Sequence, residues 1–302
     1  MHAGSVVYTF DNDVIGGRDR YYTGGHNLLW YGDEREGRGA LDGLVDLVPG
    51  YPEGGERRLS LGLGRMLFTP EDIKVVDPPE DDRPYAAWAY LSTGFVVRAQ
   101  QRVGALGLTL GRVGPDARGE QFQSDLHELI DDNAPRGWDT QLANEDAVLF
   151  QYTQRYIGRL DLGERWGIEL NPGLSLWAGN VLTAAEAELG LRLGRNLPRD
   201  YGGPLFHSAS SPEAHFQPSG GGWYLHARAV KRLVAHNIFL DGNTHTESRS
   251  TEKEPEVTQH SVGLAYHWSR VRLSLTRHVT SPEFKAQEEP HVHGSLQIAW
   301  AY

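Results

Sequence analysis

Two short stretches carry side chains able to do hydrolytic chemistry. Gly119 to His127 reads Gly-Glu-Gln-Phe-Gln-Ser-Asp-Leu-His, and Phe10 to Asp13 reads Phe-Asp-Asn-Asp. In the first, Phe122, Leu126, Leu129 and Ile130 fall at i, i+4, i+7 and i+8, the apolar stripe of a short helix, with Glu120, Gln123 and His127 on the polar side beside it. Gln123 and His127 then point the same way, one turn apart. An imidazole held like this can serve as a general base. One histidine among thirteen is still more often structural than catalytic. Ser124 lacks the Gly-x-Ser-x-Gly setting of a nucleophile elbow. In the second stretch, three oxygen-bearing side chains in a row at a strand end suit a hard cation such as calcium. Asx residues at a solvated loop entrance would look the same. Thr23, followed by Gly24-Gly25, opens the next strand beside Asn12 and Asp13, and Asp19-Arg20 could pair locally in between. His291-x-His293 shares a strand face, but two imidazoles without a third ligand are a weak transition-metal signal.

The elements that must position these residues are strands. Leu59, Leu61 and Leu63 alternate with Ser60, Gly62 and Gly64, and Leu106, Leu108 and Leu110 with Gly107, Thr109 and Gly111. The same alternation recurs at 187–193, 262–268 and 271–276. It fits a soluble sandwich or an outer-membrane barrel equally well. The last strand separates them: Leu296, Ile298, Trp300 and Tyr302 alternate with small or polar residues, and the final residue is aromatic, which resembles the assembly signal of bacterial outer-membrane proteins. The expected fold is therefore all-β, a closed antiparallel transmembrane barrel of about 12 strands with a short helix in an extracellular loop, a single domain over 1–302. The expected strands are 4–13, 23–32, 57–68, 85–98, 102–113, 146–160, 165–178, 182–195, 222–238, 257–268, 270–280 and 291–302. Both termini are placed on the periplasmic side, and loops 14–22, 69–84 and 114–145 outside carry the chemistry. In the second of these, Pro78 to Trp88 reads as a proline-braced loop in which Arg83 holds neighbouring carboxylates. The connection 32–56 reads as an insertion without an assigned role.

Composition narrows the partners. No apolar run reaches the roughly 18 residues of a membrane helix. There are no cysteines, so neither disulfides nor thiolate metal sites arise. The formal charge of −11 argues against nucleic acid, and an anionic partner would need a bridging cation. Residues 1–5 enter a strand pattern with no apolar leader, so a secretion signal is expected to have been removed already.

Taken together, Asp11-Asn12-Asp13, Asp19-Arg20-Tyr21-Tyr22-Thr23-Gly24-Gly25, Asp82-Arg83-Pro84-Tyr85-Ala86-Ala87-Trp88, Gly114 to Glu120 with Gln123 and His127, and Gly137-Trp138-Asp139-x-Gln141-Leu142-x-Asn144-Glu145 resemble the outer-membrane lipid A 3'-O-deacylases. These are calcium-dependent esterases that remove the 3'-linked acyloxyacyl chain. The resemblance implies a barrel in the bacterial outer membrane, acting on lipid A or lipopolysaccharide among outer-membrane lipids, with its site between the outer wall and a loop helix; a monomer is expected. It implies His127 as the base that activates water, Asn12 and Asp13 as holders of calcium, and Thr23 and Gln123 as lining residues. Calcium would polarise the ester carbonyl and also bridge lipid A phosphates to an acidic protein. Asn133 falls six residues past the histidine, where the family can supply a further acidic ligand, with Asp131 and Asp132 adjacent as substitutes. Where the family offers a basic residue to meet a phosphate near the second outer loop, this chain has Glu80 or Asp81. A phospholipase using the same machinery, and a barrel without enzymatic activity, are the alternatives.

Overall fold

The computed structural model describes residues 4–13, 20–34, 43, 48–52, 54–130, 135–202 and 214–302, the last two residues before 131 by backbone alone. Thirteen segments share one antiparallel sheet: β1 (Ser5–Asn12), β2 (Tyr21–Tyr31), β3 (Glu56–Thr69), β4 (Ala86–Ala99), β5 (Arg102–Val113), β6 (Glu145–Tyr156), β7 (Gly158–Leu162), β8 (Trp166–Gly179), β9 (Leu182–Arg195), β10 (Gly222–Asn237), β11 (Glu256–Trp268), β12 (Val271–Thr280) and β13 (His291–Ala301). β6 and β7 pair in succession with β8, so they are one wall strand broken at Ile157. The β1–β13 and β6–β8 pairings close a barrel of twelve wall strands, the number and order expected from the alternation.

The alternation is read inside out relative to a soluble protein. Leu61, Leu63, Leu91, Leu174 and Leu275 are exposed, whereas Ser60, Ser92, Ser175 and Ser274 are buried. Outward side chains meet hydrocarbon, and every strand's backbone groups are satisfied by its two neighbours. Trp30, Trp166, Trp223, Trp268 and Trp300 all fall at the barrel end that carries both termini, with Trp166 edge-on to Trp223 at 5.6 Å. They form an interfacial belt there.

The lumen is packed. Arg192 Nε donates to Glu169 at 2.9 Å and Nη1 to Asp200 at 2.8 Å, Arg272 lies 2.9 Å from Asp200, and Arg155 and Arg228 both meet Glu188. Buried charges of this kind persist only when fully paired. Asp200 comes from the β9–β10 connection, which also seats Tyr201 and Phe216 in the interior, with the Arg272 guanidinium 5.0 Å over the Phe216 ring.

Part of the 32–56 connection lies on the outer wall at the same end. Tyr51 donates through its hydroxyl to Phe95 O at 2.9 Å, and Tyr152 to Pro49 O at 2.8 Å. At the opposite end the loops brace one another. Arg83 reaches Glu283 at 2.9 Å across 200 residues of sequence, not the neighbouring carboxylates expected. Arg20 is held by Glu71 and by Glu289, the latter at 2.9 Å; Asp19, its expected local partner, lies outside the described residues. Asp82 instead accepts the backbone N–H groups of Glu71 and Arg83, at 2.8 and 2.7 Å, and burial holds its carboxyl above the ordinary range in spite of them. The loops between β10 and β11 and between β12 and β13 thus support those carrying the candidate chemistry.

Candidate active site on the outer wall

The expected loop helix is present as α1 (Gly119–Ile130). A tight turn, Pro115–Ala117, precedes it and ends at Arg118, whose left-handed backbone (φ 54°) directs its N–H to Pro115 O at 2.9 Å. Gly119 is where the helix touches the wall: a Cβ there would sit 2.5 Å from Ala87 Cβ and 2.6 Å from the Trp138 ring. Only glycine allows so close an approach.

That contact lies outside the barrel. Leu67 is 2% exposed although Leu61 and Leu63, on the same outward face of β3, are 55% and 54% exposed. Ala87 is likewise fully buried on the face of β4 that leaves Leu91 open. Leu67, Tyr85, Ala87, Ala117 and Trp138 form one cluster, so α1 and its flanking loop cover the outward face of β3 and β4. Phe122 lies further along: its ring is 4.6 Å from His26 of β2, which in turn is 5.1 Å from Phe10 of β1, and the Arg65 guanidinium of β3 is 5.4 Å from it. The helix therefore crosses the strands from β4 towards β2 and β1, whose extracellular ends lie beyond His26 and Phe10.

Those ends hold the strand residues of the site. By alternation Phe10 and Asn12 face outward while Thr9 and Asp11 face the lumen. Asn12 pairs with Gly24, and Asp13 N–H donates to Thr23 O at 3.3 Å. A register shift between Tyr22 and Gly24 makes Thr23 the extra residue of a bulge, which re-aims its side chain onto Thr69, with the two hydroxyls 2.6 Å apart. Asp13 is wholly buried, and its Oδ2 accepts Arg20 N–H at 2.5 Å.

On α1, Gln123 and His127 do share one side, as the spacing requires, but that side is turned to the wall. They are 1% and 3% exposed, while Phe122 and Leu126 are only half-buried and Glu120 is open. A helix lying on a membrane barrel has apolar surroundings on its flanks, so its apolar residues need no core and its polar ones can be enclosed. Trp138 Nε1–H donates to Gln123 Oε1 at 2.8 Å. Indole nitrogen can only donate, so the amide orientation is fixed and Nε2 is left as a buried donor with no hydrogen-bond partner among the described residues.

The profile of the outer membrane protein LpxR family matches residues 2–302. The chain belongs to the LpxR family. LpxR from Salmonella typhimurium is similar in structure at a TM-score of 0.80, with 19% identity over 99% of this chain and all of that one. The β domain of the Bordetella autotransporter BrkA follows at 0.51, with 13% identity over 99% of each chain. Among curated proteins none matches. As an LpxR-family member the protein resides in the outer membrane, its loop-bearing end extracellular.

The oxygen donors at this candidate site fit a hard cation in kind. The wholly buried Asp13 carboxylate and the neighbouring Asn12 amide are oxygen ligands of the type calcium takes, beside the Thr23 hydroxyl. No group of three or more His, Cys, Asp or Glu suited to a metal occurs among the described residues, so backbone or water oxygens would complete the set. Asn133, with Asp131 and Asp132, lies outside the described residues.

Four residues beside the site were given no role from the sequence. Trp138 lies 15 residues from the Gln123 it orients. Thr69 supports Thr23 from β3. Arg65 and Arg118 are electrostatic neighbours beside α1, and Arg65 Nε makes no hydrogen bond among the described residues. Positive charge is thus available next to the helix, while Glu80 and Asp81 sit exposed in the second outer loop.

Proposed function

We propose that the protein hydrolyses the 3'-O-linked acyloxyacyl ester of lipid A in the outer membrane. Membership of the LpxR family supports lipid A deacylation in general. The finer reading rests on one observation: a buried imidazole and a buried, oriented amide share one face of α1, the helix whose start packs on the outward face of the wall. A substrate whose acyl chains lie along the barrel and whose sugars lie at the headgroup level brings its ester to that height without leaving the leaflet.

His127 takes a proton from water as the water oxygen bonds to the carbonyl carbon, and returns it to the sugar oxygen as the ester C–O bond breaks. Gln123 Nε2–H is the donor for the carbonyl oxygen as charge develops there. Thr23, held by Thr69, lines the site. Calcium, held by Asn12 and Asp13 when bound, would supply Lewis-acid polarisation of the carbonyl. Arg65 and Arg118 offer charge to the anionic groups of the substrate.

The test is mass spectrometry of lipid A from outer membranes of cells expressing the chain. Loss of one 3'-acyloxyacyl unit is expected. Unchanged lipid A would overturn the assignment, and fatty acid released from defined glycerophospholipid vesicles would then point to a phospholipase.

The contact at Gly119 gives a separate check. Gly119→Val should lift α1 from Ala87 and Trp138 and lower the deacylation rate by about tenfold or more, because misplacement by an ångström is costly to a reacting geometry. The barrel, read by heat-modifiable migration in electrophoresis, should be unaffected.

A further inference from the structure

The lumenal side of the same two strand ends carries a second, separate set of contacts. Asp11 faces the interior beside Thr9, and both its carboxylate oxygens are engaged: Ser295 Oγ donates to Oδ1 at 2.5 Å and Tyr22 OH to Oδ2 at 3.0 Å. Ser295 Oγ lies 3.0 Å from His278 Nε2, and His278 Nδ1 lies 2.7 Å from Ser261 Oγ. One polar clasp thus joins β11, β12, β13, β1 and β2. Tyr22 can reach Asp11 because residue 25 is glycine; a Cβ there would sit 2.5 Å from the Tyr22 hydroxyl.

The clasped residues are the immediate neighbours of the site. Asp11 precedes Asn12, and Tyr22 precedes Thr23, the bulged residue. A barrel wall is one strand thick, so the pitch of a residue facing in fixes the pitch of the next one facing out. The Ser295 hydroxyl bond to Asp11 is of the short, strong kind, and Tyr22 adds a longer second one. We propose that Asp11, with Tyr22, is a positioning residue that acts through the wall, holding Asn12, Asp13 and Thr23 in register for the reaction outside. This rests on the reading of those residues as a hydrolytic site. Asp11 touches no substrate, and its effect is on the geometry of the strand ends.

The experiment compares the full-length wild type with Asp11→Ala, Tyr22→Phe and Thr280→Val, purified in micelles containing lipid A. Thr280→Val removes a buried lumenal bond between β11 and β12, in which the Thr280 hydroxyl accepts from Gln259 Nε2 at 3.1 Å and Asp11 takes no part. Asp11→Ala is expected to lower kcat by about tenfold or more and Tyr22→Phe by a few-fold, with KM within about twofold, while Thr280→Val keeps the wild-type kcat. Backbone hydrogen exchange, followed by mass spectrometry, should quicken in Asp11→Ala at residues 11–13 and 22–24 and nowhere else. Folded Asp11→Ala and Tyr22→Phe with wild-type kcat and exchange would overturn the proposal, as would a change in KM alone. Should Asp11→Ala fail to fold, Tyr22→Phe decides by itself. An inactive wild type would count against the hydrolytic reading, and exchange would still report on the clasp.

Discussion

His127→Ala is expected to slow lipid A deacylation by about 10²–10⁴-fold, the contribution of a positioned general base, which corresponds to roughly 3–5 kcal/mol of activation free energy. The loss should fall on kcat. His127 is 3% exposed, so its removal takes away a proton acceptor rather than a surface charge that could steer substrate. The barrel should survive the change, because α1 is fastened by Gly119, Phe122 and Trp138 and the wall by its own pairing. Electrophoretic heat-modifiability and lipid A mass spectra from the same membranes provide the two readings. A variant that deacylates at the wild-type rate would place the base elsewhere and remove the central residue of the mechanism.

Asp13 should be nearly as sensitive, in a way that calcium can report. Chelation of calcium is expected to abolish turnover, and restoring calcium to recover it. Asp13→Asn should raise the calcium concentration for half-maximal rate by about tenfold or more, since a hard cation loses a charged oxygen and gains a neutral one. Asp13→Ala should be worse, by several kcal/mol of lost electrostatic stabilisation when metal cannot be held. Asp13 also accepts the Arg20 N–H at 2.5 Å, so alanine loosens the turn between β1 and β2 as well. The asparagine variant keeps an acceptor there and isolates the metal term. Activity indifferent to chelation, with both variants at wild-type rates, would remove calcium from the reaction.

The wall was legible in the sequence and the site only in outline, for physical reasons that differ. Alternation is local: Leu61 and Leu63 announce an outward face without reference to any partner, and the strand bounds follow. The break at Ile157 was not visible, because the pattern continues across it onto the same neighbour, β8. α1 was legible from its apolar spacing, but its orientation was not, since spacing says which residues share a face and not what that face meets. Gln123 and His127 were found, yet as a polar face rather than an enclosed one. Arg83 and Glu283 lie 200 residues apart, and no local pattern links them. The bulge at Thr23 interrupts β2 against β3 only, a mismatch between two strands that neither strand's own sequence displays.

Because α1 packs on the outward face of the wall while the interior holds paired charges, the substrate of the proposed reaction would reach α1 by sideways travel within one leaflet. Its effective concentration is then a surface density, set by the mole fraction of lipid A among its neighbours. Turnover becomes a two-dimensional encounter problem in which packing and fluidity of the leaflet regulate a protein whose own structure need not change at all.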